Sequence, residues 1–242
     1  MPRPSPPRQH RAGTAGMSLT LAFDCAVAGM SVAVIEDGNC LARAAEPGRD
    51  QAVRLLPTIA SVLRAAGVER REIALLAVTI GPGSFTGVRI GLATARGLAL
   101  ALDVPLAGIR TTAALLAEAG EADGRRSVAA IDSRLGDWFC ALGGTDPTPF
   151  LATNETLAGR LKGQCCIIVG AEAEALASAV GVYGIDAIAH KTLPDAATVA
   201  LLAAADGVEA WRNRNRVEGL PRPLYLRGVS VTLPDGARRT VD

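Results

Sequence analysis

The stretch GPGSFTGVRIGLATARGLALAL, Gly81 to Leu102, decides how the rest of the chain is read. It opens on a turn cluster, Gly81-Pro82-Gly83-Ser84, in which glycine permits positive φ or close backbone approach and proline fixes one φ. Just upstream, Ile73 to Ile80 (IALLAVTI) is a continuous apolar run of strand length, the pattern of a strand buried on both faces. The local unit is strand, glycine-rich turn, helix. On that helix Gly87, Gly91, Ala95 and Ala99 recur every fourth residue and form a narrow stripe with almost no side chain. A glycine costs a helix about 0.8–1 kcal/mol relative to alanine, so close packing is expected along the stripe. The packing is either helix on sheet within one domain or helix against a partner. A membrane span is disfavoured, because Arg89 and Arg96 lie inside any segment long enough to cross a bilayer.

A glycine-rich turn between strand and helix suits a phosphate, through its amide groups and the helix dipole. The specific versions, GxxxxGK[ST] and GxGxxG, are absent, and no lysine follows the turn. Ser84 and Thr86 serve either as anion contacts or, more commonly for such residues, as N-caps.

With 242 residues and 49% apolar content, the chain can fill one large domain or two lobes. A net charge of +1 gives no extended basic face, and 3% aromatic residues give no base-stacking platform, so strong direct nucleic-acid binding is not indicated. Cys25, Cys40, Cys140, Cys165 and Cys166 have neither metal-site nor secreted-scaffold spacing, and read as buried thiols in a reducing compartment. Residues 1–16, MPRPSPPRQHRAGTAG, read as a disordered extension without a signal-peptide h-region, and Met17 as the start of the folded part.

Outward from the central stretch, LTLAFD, GMSVAVIEDGN and CLARAA are strand candidates, with Asp37-Gly38-Asn39 as a hairpin turn. Ala52 to Ala66 has helical spacing and ends at Gly67, with Pro57 as a kink or first-turn residue. The first half is therefore βββαβα. Strands at Ser127 to Ile131, Asp137 to Leu142, Cys165 to Val169 and Ile185 to Ala189, with helices at Glu155 to Leu161 and Ala171 to Val180, echo it. Asp195 caps one long helix, Ala196 to Trp211, and Leu224 to Arg227 reads as a docked end. Alternating strands and helices in two related halves give α/β layers with a mixed sheet in each.

Together with LAFDCAVAGMSVAVIEDG, RDQAVRLLP, AAIDSRLGDWFCAL and PLYLR in this order, the GPGSFTG-RIGLA-A-GLA block resembles the bacterial TsaB (YeaZ) family, from about Met17 to Arg227. The resemblance implies an α/β fold of two actin-like (RNase H-like, ASKHA superfamily) lobes with mixed sheets flanked by helices. These divide as an N-terminal lobe over 17–107 and a second, degenerate lobe over 108–242, whose helix 195–212 packs back on the first. It also implies a cytoplasmic role in forming threonylcarbamoyladenosine at position 37 of tRNA. In that role the TsaB-like protein is a subunit without catalytic residues of its own. It pairs with a TsaD-like catalytic paralogue, is joined by a TsaE-like ATPase, and meets tRNA through the complex; the surface that meets the paralogue can also mediate a homodimer when the partner is absent. In the family the counterparts of the helices Ala52 to Ala66 and Val88 to Leu102 form a bundle with the partner. That assigns the interface to Leu55, Leu56, Ile59, Leu63, Val88, Arg89, Leu92, Ala95, Arg96 and Ala99.

ASKHA enzymes hold ATP phosphates with an Asp-x-[Gly/Ser/Thr]-[Thr/Ser] turn after the first strand. Here that turn is Asp24-Cys25-Ala26-Val27-Ala28, without the hydroxyls and with Val27 adding bulk. A degenerate nucleotide or anion site is expected from Asp24, Gly83, Ser84, Thr86, Asp132 and Ser133. No cofactor is required, and ATP or ADP is held weakly or at the interface of the complex. The paralogue's His-x-x-x-His metal motif is missing. Asp50 and Gln51 stand where Glu-His is common, and His10 and His190 are the only histidines, so no two-histidine metal site assembles. The same absence weakens a glycoprotease-like peptidase reading, since Ser84 has no nearby histidine. The other competitor, an autonomous ASKHA-type ATPase or kinase-like enzyme, is disfavoured by Ala26-Val27.

Overall fold

The computed structural model describes residues 18–48, 50–120, 122–144, 147–227, 229–232 and 238–241. The extension expected over 1–16, and His10 with it, lies outside the described residues. The first half runs β1 (Leu19–Asp24), β2 (Met30–Glu36), β3 (Asn39–Glu46), α1 (Gln51–Ala66), β4 (Ile73–Thr79), α2 (Phe85–Leu102) and β5 (Leu106–Ile109). After α3 (Thr111–Glu118) the order repeats as β6 (Arg126–Asp132), β7 (Trp138–Leu142), β8 (Phe150–Ala152), α4 (Asn154–Leu161), β9 (Cys166–Gly170), α5 (Ala173–Gly181) and β10 (Ala187–Lys191). The chain continues through α6 (Ala196–Asp206), α7 (Val208–Glu218) and the hairpin strands β11 (Val229–Thr232) and β12 (Arg238–Val241).

Both five-stranded sheets have one topology, β3-β2-β1-β4-β5 and β8-β7-β6-β9-β10. In each, the first three strands pair antiparallel and the last two parallel to the first. The halves are thus two actin-like α/β lobes. Asp24 and Asp132 end the corresponding central strands β1 and β6.

Alternation within the strands fills four apolar layers. Leu21 and Phe23 of β1 and Leu76 and Val78 of β4 meet α1 and α2 through Leu55, Ile59, Val88 and Leu92. Their neighbours Ala22, Leu75 and Ala77 face the other way, onto Val199, Ala200 and Ala203 of α6. In the second lobe Val128 and Ile168 meet α4 and α5 through Leu157, Leu161 and Leu176, while Ala129, Ile167 and Val169 meet Leu115 of α3. The connecting helices are exchanged: α3 follows the first sheet and covers the second, and α6 follows the second and covers the first.

The structure departs from the sequence reading at several points. The expected helix Ala196 to Trp211 is two helices, because Gly207, at φ 83° and ψ 156°, breaks it, and α7 carries the polar run to Glu218. Trp211 then folds back on α6, its Nε1 donating to the Ala203 carbonyl at 2.9 Å. Asp195 does cap α6, accepting the Ala197 N–H at 2.9 Å. The expected division at 107/108 falls inside β5, whose parallel ladder with β4 continues to Ile109. The short elements α3 and β8 have no counterpart in the sequence reading. Cys40 and Cys165 are exposed, whereas Cys25, Cys140 and Cys166 are buried.

Candidate functional site

The glycines of the central turn are explained by backbone contacts inside the first lobe. A Cβ on Gly87 would lie 1.9 Å from the Cys25 carbonyl oxygen, and one on Gly83 would lie 2.2 Å from that of Ala26. A Cβ on Gly81, at φ 103°, would lie 2.8 Å from the Leu224 oxygen. Three backbone segments therefore stack where glycine alone allows it. The Ser84 N–H donates to the Ala26 carbonyl at 2.7 Å, and the Ser84 hydroxyl caps α2 by accepting the Gly87 N–H at 3.2 Å. Of its two readings, Ser84 is the N-cap.

Asp24 lies beneath this stack, 4% exposed. Its Oδ1 accepts the Thr79 hydroxyl at 2.5 Å and the Ala26 N–H at 3.1 Å. Burial lifts its carboxyl to about 6 against the opposing pull of those two donors. Burial, with Asp24 beside it, also raises the Cys25 thiol well above its ordinary range. The Ala26 amide, which a phosphate turn would offer to a ligand, is already taken.

Two cavities open between the lobes. The larger, about 1130 Å³, is lined by Asp24, Ser31, Arg43, Glu118 and Lys191 among others. The smaller, about 490 Å³, gathers Gly83, Ser84, Asp132 and Ser133. Four of the six residues expected at an anion site thus come together, while Asp24 faces the other cavity and the exposed Thr86 lines neither. Several polar groups of the smaller cavity have partners within the chain. Ser133 donates its hydroxyl to Asp137, and Asp132 accepts the Arg134 N–H at 2.7 Å. The Arg134 guanidinium is paired with Asp132 at 3.2 Å and Glu172 at 2.7 Å. The Asp132 and Ser133 side chains and the Arg134 guanidinium thus already have partners within the chain.

Where the paralogue's metal motif would begin, Gln51 is a structural residue, 9% exposed, donating Nε2 to the Gly29 and Gly48 carbonyls at 3.2 and 3.3 Å. His190 lies exposed on β10. Among the described residues no group of three or more His, Cys, Asp or Glu side chains could hold a metal.

The predicted interface residues divide sharply. Leu55, Ile59, Leu63, Val88, Leu92, Ala95 and Ala99 are all 5% exposed or less. They form the first lobe's own core, because the small-residue stripe of α2 faces the sheet, with Gly91 against Val78. Packing within the domain is therefore the use of that stripe. Arg96 is half-buried, its Nε and Nη2 donating to the Pro221 carbonyl at 3.2 and 2.6 Å. Arg89 is exposed, stacked 3.6 Å over the Phe85 ring, and donates Nε to the Tyr225 hydroxyl at 2.9 Å. Leu56 remains exposed. The segment Pro221 to Arg227 runs from these contacts to the second lobe, where Arg227 pairs with Asp137.

The outer face of the two helices carries residues that the sequence reading did not select. Val53, Pro57, Ala60 and Arg64 follow one stripe of α1, and Phe85, Arg89, Ala93, Arg96 and Leu100 one stripe of α2. Val53 is 77% exposed, Leu56 55% and Leu100 85%. Gly97 lies on this outer face with nothing within 4 Å of the position of its Cβ. Only the orientation of α2 on the sheet separates Gly97 from Gly87 and Gly91. By length and composition alone α2 could cross a membrane, but its inner residues belong to the core of the first lobe.

A family model described as TsaD, tRNA N6-adenosine threonylcarbamoyltransferase, matches residues 45–159. Over 122 residues the chain is 39% identical to the tRNA threonylcarbamoyladenosine biosynthesis protein TsaB of Escherichia coli (strain K12), covering 50% of this chain and 53% of that one. The protein of the same description from Bacillus subtilis (strain 168) is 33% identical over 94 residues, 39% of this chain and 41% of that one. The chain spans about half the length of the curated relatives it matches. Two solved structures align with 87% of this chain and 100% of their own. One is YeaZ from Pseudomonas aeruginosa, with TM-score 0.68 and 29% identity. The other is a protein described as similar to peptidase YEAZ from Pseudomonas aeruginosa, with TM-score 0.69 and 30% identity.

Proposed function

The chain belongs to the TsaB (YeaZ) family, and from that premise we propose that it is a non-catalytic subunit of the machinery that forms threonylcarbamoyladenosine in tRNA, acting by pairing with a TsaD-like paralogue. The observation that carries this reading is Gly97. A glycine inside a helix costs about 0.8–1 kcal/mol relative to alanine. Gly87 and Gly91 are accounted for by Cys25 and Val78, but among the described residues nothing lies within 4 Å of the position of a Cβ on Gly97. On the exposed face of α2 it leaves room for another helix to come close. The non-catalytic half of the proposal is supported by the interlobe turns, where the Ala26 amide, the Ser133 hydroxyl and the Arg134 guanidinium are engaged by the chain itself.

In this reading the subunit biases the lobe orientation of its partner, which requires that it bind one orientation more tightly than the other. A TsaE-like ATPase and tRNA join through the partner, and ATP or ADP is held at the junction of the two chains.

The test is light scattering during size-exclusion chromatography of the chain mixed with the TsaD-like paralogue from the same genome, with and without ATP, repeated with Gly97→Leu. Expected are a 1:1 complex, its loss in the variant with Tm unlowered, and no ATP hydrolysis by the chain alone. Unchanged assembly of Gly97→Leu would place the contact elsewhere, and hydrolysis by the isolated chain would make it an enzyme in its own right.

A further inference from the structure

The larger interlobe cavity, about 1130 Å³, holds carboxylates that the chain leaves short of donors. Asp24 is one. Only 4% exposed, it accepts both of its bonds, from the Thr79 hydroxyl and the Ala26 N–H, at Oδ1, and among the described residues nothing donates to Oδ2. Glu118, at the end of α3, lines the same cavity with its Oε1 enclosed and without a hydrogen-bond partner among the described residues. The other carboxylates of the lining are matched, Glu46 by Arg54, Glu172 by Arg134 and Asp195 by Arg43. Of the two cations in the lining, Arg43 is therefore taken, and Lys191 lies exposed at the end of β10. A buried acceptor without a donor is costly, and more so when it is ionised. The cavity thus calls for donors that carry positive charge.

We infer that this cavity is a site for a small alkylammonium ligand of the polyamine class, whose ammonium groups meet Asp24 Oδ2 and Glu118 and whose methylenes lie along Ala28, Met30 and Pro194. The inference goes beyond the function proposed above and does not depend on it. Three features select the chemistry. With Oδ1 occupied, Asp24 has one oxygen left to offer, which suits a compact ammonium and not a guanidinium fork that engages two. The apolar walls suit a carbon chain between the charges. An anionic ligand would set its charge against Asp24 and Glu118, with Lys191 as the one lining cation that lacks a carboxylate among the described residues. Asp24 ends a strand of the first sheet and Glu118 a helix packed on the second, so the bound cation draws a carboxylate from each lobe.

The experiment is isothermal titration calorimetry of the full chain with spermidine at pH 7.5, above the Asp24 value of about 6, so that its carboxylate is ionised. Wild type is compared with Asp24→Asn, Glu118→Gln and Glu209→Gln, the last an equal charge change on α7 at a residue that does not line the cavity. Tetramethylammonium serves as a cation without N–H donors, and ATP as the anionic alternative. Expected are one spermidine site in wild type and in Glu209→Gln, affinity at least tenfold lower in Asp24→Asn and in Glu118→Gln, and no binding of tetramethylammonium or ATP to the chain alone. Urea unfolding of the two cavity variants separates loss of the site from loss of the fold, since removing a buried charge at Asp24 does not lower stability at this pH. No binding of spermidine to wild type overturns the inference. So do affinity unchanged in either cavity variant, an equal loss in Glu209→Gln, and binding of tetramethylammonium or ATP at the same site. None of these outcomes bears on pairing with the paralogue, which leaves the proposed function to its own test.

Discussion

Gly87 and Cys25 meet so closely that a Cβ on the glycine would stand 1.9 Å from the Cys25 carbonyl oxygen, whereas the same atom on Gly97, ten residues along the helix, would meet nothing. One helix therefore holds glycines of opposite consequence. Gly87→Ala forces α2 off the Asp24–Ala28 turn and is expected to lower stability by more than about 2 kcal/mol, in the range of overpacked cores. Gly97→Ala is expected to raise it by about 0.5–1 kcal/mol through helix propensity. Urea unfolding of the two variants checks both signs.

The buried carboxyl of Asp24 makes stability depend on pH. Its folded value, about 6, lies above the unfolded value near 3.9, so the folded protein holds the proton more tightly. That contribution is fully present below about pH 4 and is lost as pH rises through 6, after which the ionised group costs up to about 3 kcal/mol. Asp24→Asn keeps the Oδ1 acceptor for Ala26 and Thr79 while removing the charge. The variant is expected to exceed wild type in Tm at pH 8, with the advantage gone by pH 4; an advantage independent of pH would contradict the assignment.

Asn215 of α7 does for the edge strand β5 what a sixth strand would do. It accepts the Leu106 N–H at 2.7 Å and donates to the Leu106 carbonyl at 3.0 Å. Asn215→Leu leaves both backbone groups without partners under a side chain of similar size. The expected cost is about 1–3 kcal/mol. Hydrogen exchange should show fraying at Leu106 before global unfolding.

Arg227 ties the C-terminal segment to Asp137 of the second lobe, while the Leu224 N–H donates to Ile80 of the first at 2.7 Å. Both charges are partly solvated, so Arg227→Ala is expected to change global stability by no more than about 1 kcal/mol. Local protection should nonetheless fall, with faster amide exchange at Leu224.

The strand-turn-helix unit, the duplicated order and the caps at Ser84 and Asp195 were legible, because each leaves a mark in a single side chain or a strict spacing. The missing hydroxyls at Ala26 and Val27 are visible in the sequence, whereas the bond that the Ala26 N–H makes to Asp24 is not. The direction in which α2 faces was not legible either. Gly87, Gly91 and Gly97 have one composition, and only the sheet beneath the helix separates contact from open space. Thr111–Glu118 escaped notice because it is short and its N-cap, Arg110, makes no side-chain bond, so neither period nor cap announces it. Gly207 was passed over because a glycine within a helical pattern does not by itself end it.

The exchange of α3 and α6 between the lobes sets an order on synthesis. The inner face of the first sheet, with Ala22, Leu75 and Ala77, is complete once β5 has emerged, yet its cover begins only at Ala196, about 90 residues later. At about 5–20 residues per second the ribosome leaves that face bare for several seconds. A nascent or truncated N-terminal half therefore presents sticky sheet to its surroundings. The two lobes are obliged to mature as one cooperative unit, and fragments cut between them should precipitate rather than fold.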